Sequence, residues 1–161
     1  MKKEIIKKLA VGILCSTFIM SSGTAFAADL KTLQPEEQAI TKVSLDLNGT
    51  VPNTQGVLYQ GKAWVPLRVA ADGLGMKVQW DEKTRTATLD DGVRTMTFQE
   101  EDELYASWPS SPDLVGMTAP TKLAGAPYIA KDGRMWVPAE AFEVLVGYDV
   151  TSDQEKITIQ P

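Results

Sequence analysis

The stretch WVPLRVAADGLGMKVQWDEKTRTATL, residues 64–89, contains the pattern that decides the fold. Behind Pro66, whose fixed φ suits the first turn of a helix, apolar residues recur at the 3.6-residue spacing of a helix. They are Leu67, Ala70, Ala71 and Leu74. Gly75 stands where a helix ends in the left-handed conformation, and strict alternation of apolar and polar residues begins after it. The stretch therefore predicts a strand, a helix and a β-hairpin, in that order.

A second copy of this pattern lies near the end of the chain, in WVPAEAFEVLVGYDVTSDQEKITI, residues 136–159. Its apolar helical face consists of Ala139, Phe142, Leu145 and Val146. Gly147 occupies the position of Gly75, and Ile157 and Ile159 alternate with polar residues in the last predicted strand. Two copies indicate one duplicated supersecondary unit, since a solenoid needs three or more repeats.

Further short strands are predicted on both sides of the two units. The clearest alternates at Val43, Leu45 and Leu47 and ends at the turn dipeptide Asn48-Gly49. We therefore predict an α+β fold with a duplicated strand-helix-β-hairpin unit, antiparallel sheets and about one helix per repeat. The predicted parts are repeat 1 over residues 41–99, an irregular inter-repeat loop over 100–124 and repeat 2 over 125–161. Both repeats are expected to form one domain.

Residues 1–27 have the composition of a secretory signal peptide. The first part is basic, with Lys2, Lys3, Lys7 and Lys8. An apolar run over residues 9–20 and a small-x-small pattern at Ala25 and Ala27 complete the motif. The run is too short for a bilayer of about 30 Å, so no stable membrane span is expected after cleavage. Residues 28–40 are expected to form a polar lead-in, and the protein to be secreted or cell-surface associated. A lipid anchor on Cys15 is the weaker alternative, because Leu14 precedes it where a small residue is needed.

The composition excludes several kinds of chemistry. Histidine is absent from the 161 residues, and there is one cysteine. Ser-His-Asp and Cys-His catalysis, imidazole-bound metals and thiolate clusters are therefore excluded, and we predict no cofactor and no metal site. The formal net charge of −5 argues against nucleic acid as a partner. No P-loop, glycine-rich dinucleotide motif or nucleophile elbow is present.

The two stretches quoted above resemble the copper amine oxidase N-terminal-like domain, also called the stalk domain. The resemblance covers residues 41–99 and 126–160, and it is weaker in the second copy, where Glu140 matches Arg68 and Ser152 matches Trp80. It implies a secreted protein of a Gram-positive bacterium. In the enzymes that gave the family its name, copper and the quinone cofactor belong to a separate catalytic domain. The resemblance therefore implies a non-enzymatic module.

Four aromatic residues are candidate ligand-binding residues. Trp64 and Trp136 occupy equivalent positions and are expected to share a sheet face. They form either a platform for a sugar ring or peptide or, in the interpretation we favour, the seam where the repeats pack. Tyr105 and Trp108 lie in the proline-flanked inter-repeat loop, where an aromatic side chain either recognises a partner or holds the loop down. Trp80 continues the alternation of its strand and is assigned to the core.

Charged residues suggest two further sites, and neither is favoured. The acidic run over residues 100–103 lacks the D-x-D-x-D-G pattern of a calcium loop and is expected to be a solvated cluster. Arg68, near a helix start, is expected to pair with a carboxylate or to pack its stem rather than to bind an anion.

Three functions are compatible with these features, and no catalytic residue is assigned. The first is a non-enzymatic secreted or cell-surface binding module that recognises cell-wall polysaccharide or another surface or extracellular protein. The alternative is a secreted inhibitor or regulator of an extracellular enzyme, which would use the inter-repeat loop. A remote alternative is a small hydrolase that relies on two carboxylates.

Overall fold

A computed structural model of the chain describes residues 40–161. The predicted signal peptide and all but the last residue of the predicted lead-in lie outside the described residues. No helix between residues 40 and 161 has the length and apolar character needed to cross a membrane.

The first part of the structure contains six strands and one helix. In chain order they are β1 (Ile40–Leu47), β2 (Gly56–Tyr59), β3 (Lys62–Pro66), α1 (Leu67–Gly73), β4 (Lys77–Asp81), β5 (Thr86–Asp90) and β6 (Arg94–Gln99). The helix ends where the sequence predicts, since Gly75 has a left-handed φ of 73° that glycine adopts without steric cost. Strand, helix and β-hairpin therefore follow one another as residues 64–89 predict.

The prediction of an irregular loop over residues 100–124 is wrong. This segment contains β7 (Leu104–Tyr105), β8 (Ser107–Pro109) and β9 (Thr121–Lys122). These strands are too short for an alternating pattern to be recognised in sequence. β8 pairs with β6, and β7 pairs with β9, so the segment is anchored in the sheets.

The last part of the chain contains four strands and the second helix. They are β10 (Tyr128–Ile129), β11 (Met135–Pro138), α2 (Glu140–Val146), β12 (Asp149–Ser152) and β13 (Lys156–Gln160). The helix ends at Gly147, whose φ of 78° is again left-handed. The structure therefore combines strands with two helices, in agreement with the predicted α+β class.

The strands form a seven-stranded sheet, a four-stranded sheet and a two-stranded ribbon. The large sheet has the order β10-β11-β3-β2-β1-β13-β12, and the four-stranded sheet has the order β4-β5-β6-β8. The strand pairs are antiparallel, as predicted, with one exception: β1 and β13 run parallel, with Leu45 beside Ile157. Alternation in a strand indicates which residues share a face, but it does not indicate the direction of the neighbouring strand.

The middle of the large sheet joins the two halves of the chain. β3 and β11 are antiparallel, and Val65 lies opposite Val137, its counterpart in the second copy. Trp64 lies opposite Pro138, and Pro66 lies opposite Trp136. The corresponding strands of the two halves are therefore related by a local two-fold axis that passes between the two valines.

One cluster of buried residues forms the core. It draws side chains from both larger sheets and both helices, including Leu45, Val65, Leu89, Phe98, Phe142 and Ile159. Phe98 packs edge-on against Tyr105, with ring centroids 5.8 Å apart. Burial of these apolar side chains, each contributing about 1.5–3 kcal/mol, is the main stabilising term that fixes the position of α1 against the sheets.

Candidate functional site

A cleft lies between α1, the edge strand β4 and the β10–β11 hairpin. It has a volume of about 430 Å³ and is open to solvent. Its lining includes residues from each of these three elements, among them Arg68 and Asp72, Val78 and Trp80, and Arg134 and Met135. We call this surface the α1 cleft. It combines an aromatic ring, two guanidinium groups and one carboxylate on an apolar floor.

Trp80 is the aromatic residue of the α1 cleft, and its assignment to the core is wrong. Its side chain is 37% exposed, and its indole nitrogen donates a hydrogen bond to Glu82 Oε2 at 2.6 Å. The alternation with Val78 places both residues on one face of β4, as predicted. However, α1 has only seven residues and is about 10 Å long, so it covers the start of β4 and leaves the end open.

Arg68 and Arg134 approach the cleft from different elements. Arg68 belongs to the first turn of α1, and its side chain is exposed. Of the two roles expected for Arg68, pairing with a carboxylate is not observed, since none lies within ion-pair distance of it within residues 40–161. Arg134 Nε lies 3.7 Å from Asp132 Oδ2, and both side chains are about half exposed. A pair of this kind is screened by water and contributes little to stability.

The tryptophans predicted as a possible platform lie in β3 and β11. The register of the two strands places Trp64 and Trp136 on one sheet face, opposite to Val65 and Val137. Trp64 is only 8% exposed, because its ring packs against Tyr128 with centroids 5.7 Å apart. It therefore has no free face for a ligand, whereas Trp136 is half-buried.

Tyr105 and Trp108, the other predicted site residues, are separated from the α1 cleft. Tyr105 is 1% exposed, and its hydroxyl donates to the backbone oxygen of Gly125 at 2.5 Å. Burial raises the pKa of the Tyr105 hydroxyl well above its usual range, so this donor keeps its proton. Tyr105 therefore holds its segment to the core and has no surface for a ligand. Trp108 is half-buried in β8, opposite Thr95 of β6.

Two of the four acidic residues over 100–103 are engaged in separate ion pairs. Glu100 pairs with Arg85, and the hydrogen bond from this guanidinium lowers the pKa of the Glu100 carboxyl. Glu103 lies 2.8 Å from the ammonium group of Lys122. In the described part of the chain, no group of three or more acidic, cysteine or histidine residues is arranged to hold a metal ion.

Sequence reasoning missed the α1 cleft because it is built by non-local contacts. Trp80 and Arg68 were recognised individually, but no pattern indicated that Arg134, which belongs to the second half of the chain, would line the same surface. The one available signal was the unusual Trp80, which has Ser152 as its counterpart. A large aromatic residue present in one copy and absent from the other suggests a role beyond a shared packing position.

Comparisons with known proteins identify the family of the chain. Comparison with the curated proteins found no match, and comparison with the solved structures found none. The family model described as the copper amine oxidase N-terminal domain matches residues 46–160, which is most of the chain. This domain is a non-catalytic accessory domain. The resemblance seen in the sequence is thus confirmed, and the chain belongs to the copper amine oxidase N-terminal domain family.

Proposed function

We propose that the protein is a non-enzymatic, secreted or cell-surface binding module of a Gram-positive bacterium, and that it recognises cell-wall material through the α1 cleft. The observation that carries this proposal is the exposed indole of Trp80 beside two guanidinium groups. Aromatic rings stack on the apolar faces of sugar rings, and arginine donates paired hydrogen bonds to oxyanions. The basic and apolar segments of residues 1–27 support export.

The cleft is suited to binding rather than to hydrolysis. Glycoside hydrolysis needs two carboxylates on opposite sides of the scissile bond, whereas Asp72 is the single carboxylate among the residues that line this cleft. A carboxylate beside an aromatic ring accepts hydrogen bonds from sugar hydroxyl groups, which is a binding role. We therefore assign no catalytic residue to the α1 cleft.

Co-sedimentation with purified Gram-positive cell walls tests the proposal. The protein is expected to sediment with the walls, and Trp80→Ala is expected to reduce the retained fraction severalfold. Gln79→Ala is the matched control, because the neighbouring Gln79 projects from the opposite face of β4. Retention no greater than that of an unrelated acidic protein would refute wall binding. Full retention of Trp80→Ala would refute the assignment to this cleft.

An apolar loop over residues 111–117 favours a second candidate function, the inhibition of an extracellular enzyme. Leu114, Val115 and Met117 are exposed, and Val115 is 97% exposed. Such a protruding apolar loop suits insertion into the cleft of another protein. If so, the protein should inhibit a lysozyme-type wall hydrolase, and the double variant Leu114→Ser/Val115→Ser should lose the inhibition. Absence of inhibition by the wild-type protein would exclude this function for that class of enzyme.

A further inference from the structure

The two arginines of the α1 cleft, one from each half of the chain, differ from their counterparts in the opposite half. When the two copies are aligned, Arg68 is matched by Glu140, and Arg134 is matched by Lys62. Lys62 Nζ lies 3.7 Å from Glu140 Oε2, so these two counterparts form an ion pair of opposite charges. The α1 cleft has two positive charges, whereas the equivalent pair of positions, Lys62 and Glu140, has one charge of each sign.

This difference is not explained by the stability of the fold. Both arginines are exposed, and exposed ion pairs contribute little to stability, so their replacement would cost the fold little. Arg134 is paired with Asp132, but no carboxylate of the described residues lies within ion-pair distance of Arg68. A guanidinium group without an ion-pair partner, lining a cleft with a second guanidinium group, favours a ligand that brings negative charge of its own.

Trp80 indicates a second chemical feature of this ligand, besides its negative charge. Its counterpart is Ser152, so an aromatic ring lines the cleft that has the two arginines, whereas the equivalent position of the other copy has a small polar side chain. The planar guanidinium group donates two parallel hydrogen bonds to a carboxylate or phosphate oxygen pair. An exposed indole provides a flat apolar surface on which a sugar ring stacks. The cleft therefore combines recognition of a ring with recognition of an oxyanion.

We propose that the α1 cleft binds an acidic glycan, with a sugar ring stacked on Trp80 and the oxyanion of that sugar held between Arg68 and Arg134. The proposal rests on the proposed function and names the class of wall component that the cleft selects. Asp72, at the same surface, accepts hydrogen bonds from hydroxyl groups of the sugar and disfavours a second anionic group beside it.

Isothermal titration of the purified protein with two matched probes tests this selection. The probes are an oligogalacturonate, which has a carboxylate on each sugar, and its fully methyl-esterified form, which is neutral. We expect the acidic oligomer to bind at least tenfold more tightly than the ester. Arg68→Gln and Arg134→Gln are each expected to weaken binding of the acid about tenfold and to change binding of the ester less than twofold. Trp80→Ala is expected to weaken binding of both the acid and the ester.

Lys77→Gln is the matched control for net charge. Lys77 is exposed on the same strand as Trp80, and its side chain projects from the opposite face, so the variant is expected to bind the acid within twofold of wild type. A loss equal to that of the arginine variants would overturn the site-specific interpretation.

Two further results separate this proposal from the proposed function. If the acid and the ester bind wild type equally and neither binds Trp80→Ala, the selection of acidic glycans is overturned. The proposal that the wall binds at the cleft would then stand. Binding of poly(glycerol phosphate), an anionic polymer without a sugar ring, as tightly as the oligogalacturonate would overturn the stacking component. Failure of both oligomers together with loss of wall co-sedimentation would overturn both proposals.

Discussion

Ser107→Ala is expected to destabilise the protein far more than its small change in volume suggests. Ser107 is fully buried in β8, and its hydroxyl donates to the backbone oxygen of Leu145 at 2.6 Å. That oxygen belongs to the last turn of α2, where carbonyl groups have no partner within the helix. The same hydroxyl accepts a hydrogen bond from Arg94 at 3.2 Å. One serine therefore ties the segment between the two halves to the second helix.

The magnitude follows from the groups that would lose their partner. A net hydrogen bond contributes about 1 kcal/mol, and a buried carbonyl left unpaired costs about 1–3 kcal/mol. We therefore expect Ser107→Ala to lower the free energy of unfolding by about 2 kcal/mol. Urea unfolding measures this as a lower midpoint at an unchanged m value. Ser152→Ala is the control, because Ser152 is exposed and should change stability by less than about 0.5 kcal/mol. Equal stability of the two variants would refute the anchoring role of Ser107.

Three other changes test the packing and the titrating groups. Gly73→Ala is expected to cost about 1–3 kcal/mol in urea unfolding, because a Cβ there would lie 2.6 Å from Leu47 Cδ1 in the core. An unchanged midpoint would show that Leu47 moves away from the new Cβ at no cost in stability. Tyr105 has a raised pKa because of burial, so the unfolded chain loses this proton first and stability should fall as the pH rises above about 10. Tyr105→Phe should show a smaller fall in alkaline urea titrations, and it should be less stable at pH 7 because it lacks the hydrogen bond to Gly125. The hydrogen bond from the Arg85 guanidinium group lowers the pKa of Glu100. The contribution of this carboxylate to stability is therefore present above about pH 4.5 and is lost as the pH falls below that value. Glu100→Gln should therefore lose less stability than wild type between pH 5 and pH 3, and an identical acid profile would contradict the ion pair.

Local patterns in the sequence predict most of the elements and little of their arrangement. Alternation at Leu45, Leu47 and Ile157 correctly indicates buried strand faces, because every second side chain of a strand points to the same side of the sheet. The same alternation is compatible with either direction of pairing, so the parallel contact of β1 with β13 was not foreseen. That contact joins the first and the last strand of the described chain, and no local property of either strand specifies the other.

The candidate site was less predictable than the fold for a related reason. Alternation correctly placed Trp80 on the face of β4 that includes Val78, but burial depends on whether another element covers that face. The short α1 does not reach its end. The sequence left open whether Tyr105 recognises a partner or holds its segment down, and the structure buries it among core side chains. For Trp80 the deciding factor is the length of the preceding helix, and for Tyr105 it is the contact with Phe98 and Gly125, and alternation specifies neither.

The wall ligand is proposed to bind beside Trp80 in the α1 cleft. The four tryptophans each give one indole N–H signal in a two-dimensional ¹H–¹⁵N spectrum, and single Trp→Phe variants assign them. Titration with a solubilised wall glycan is expected to shift the Trp80 indole signal in a saturable manner and to leave the signal of buried Trp64 in place. An unchanged Trp80 signal, together with a saturable shift at Trp108 or Trp136, would overturn the assignment of the wall ligand to the α1 cleft.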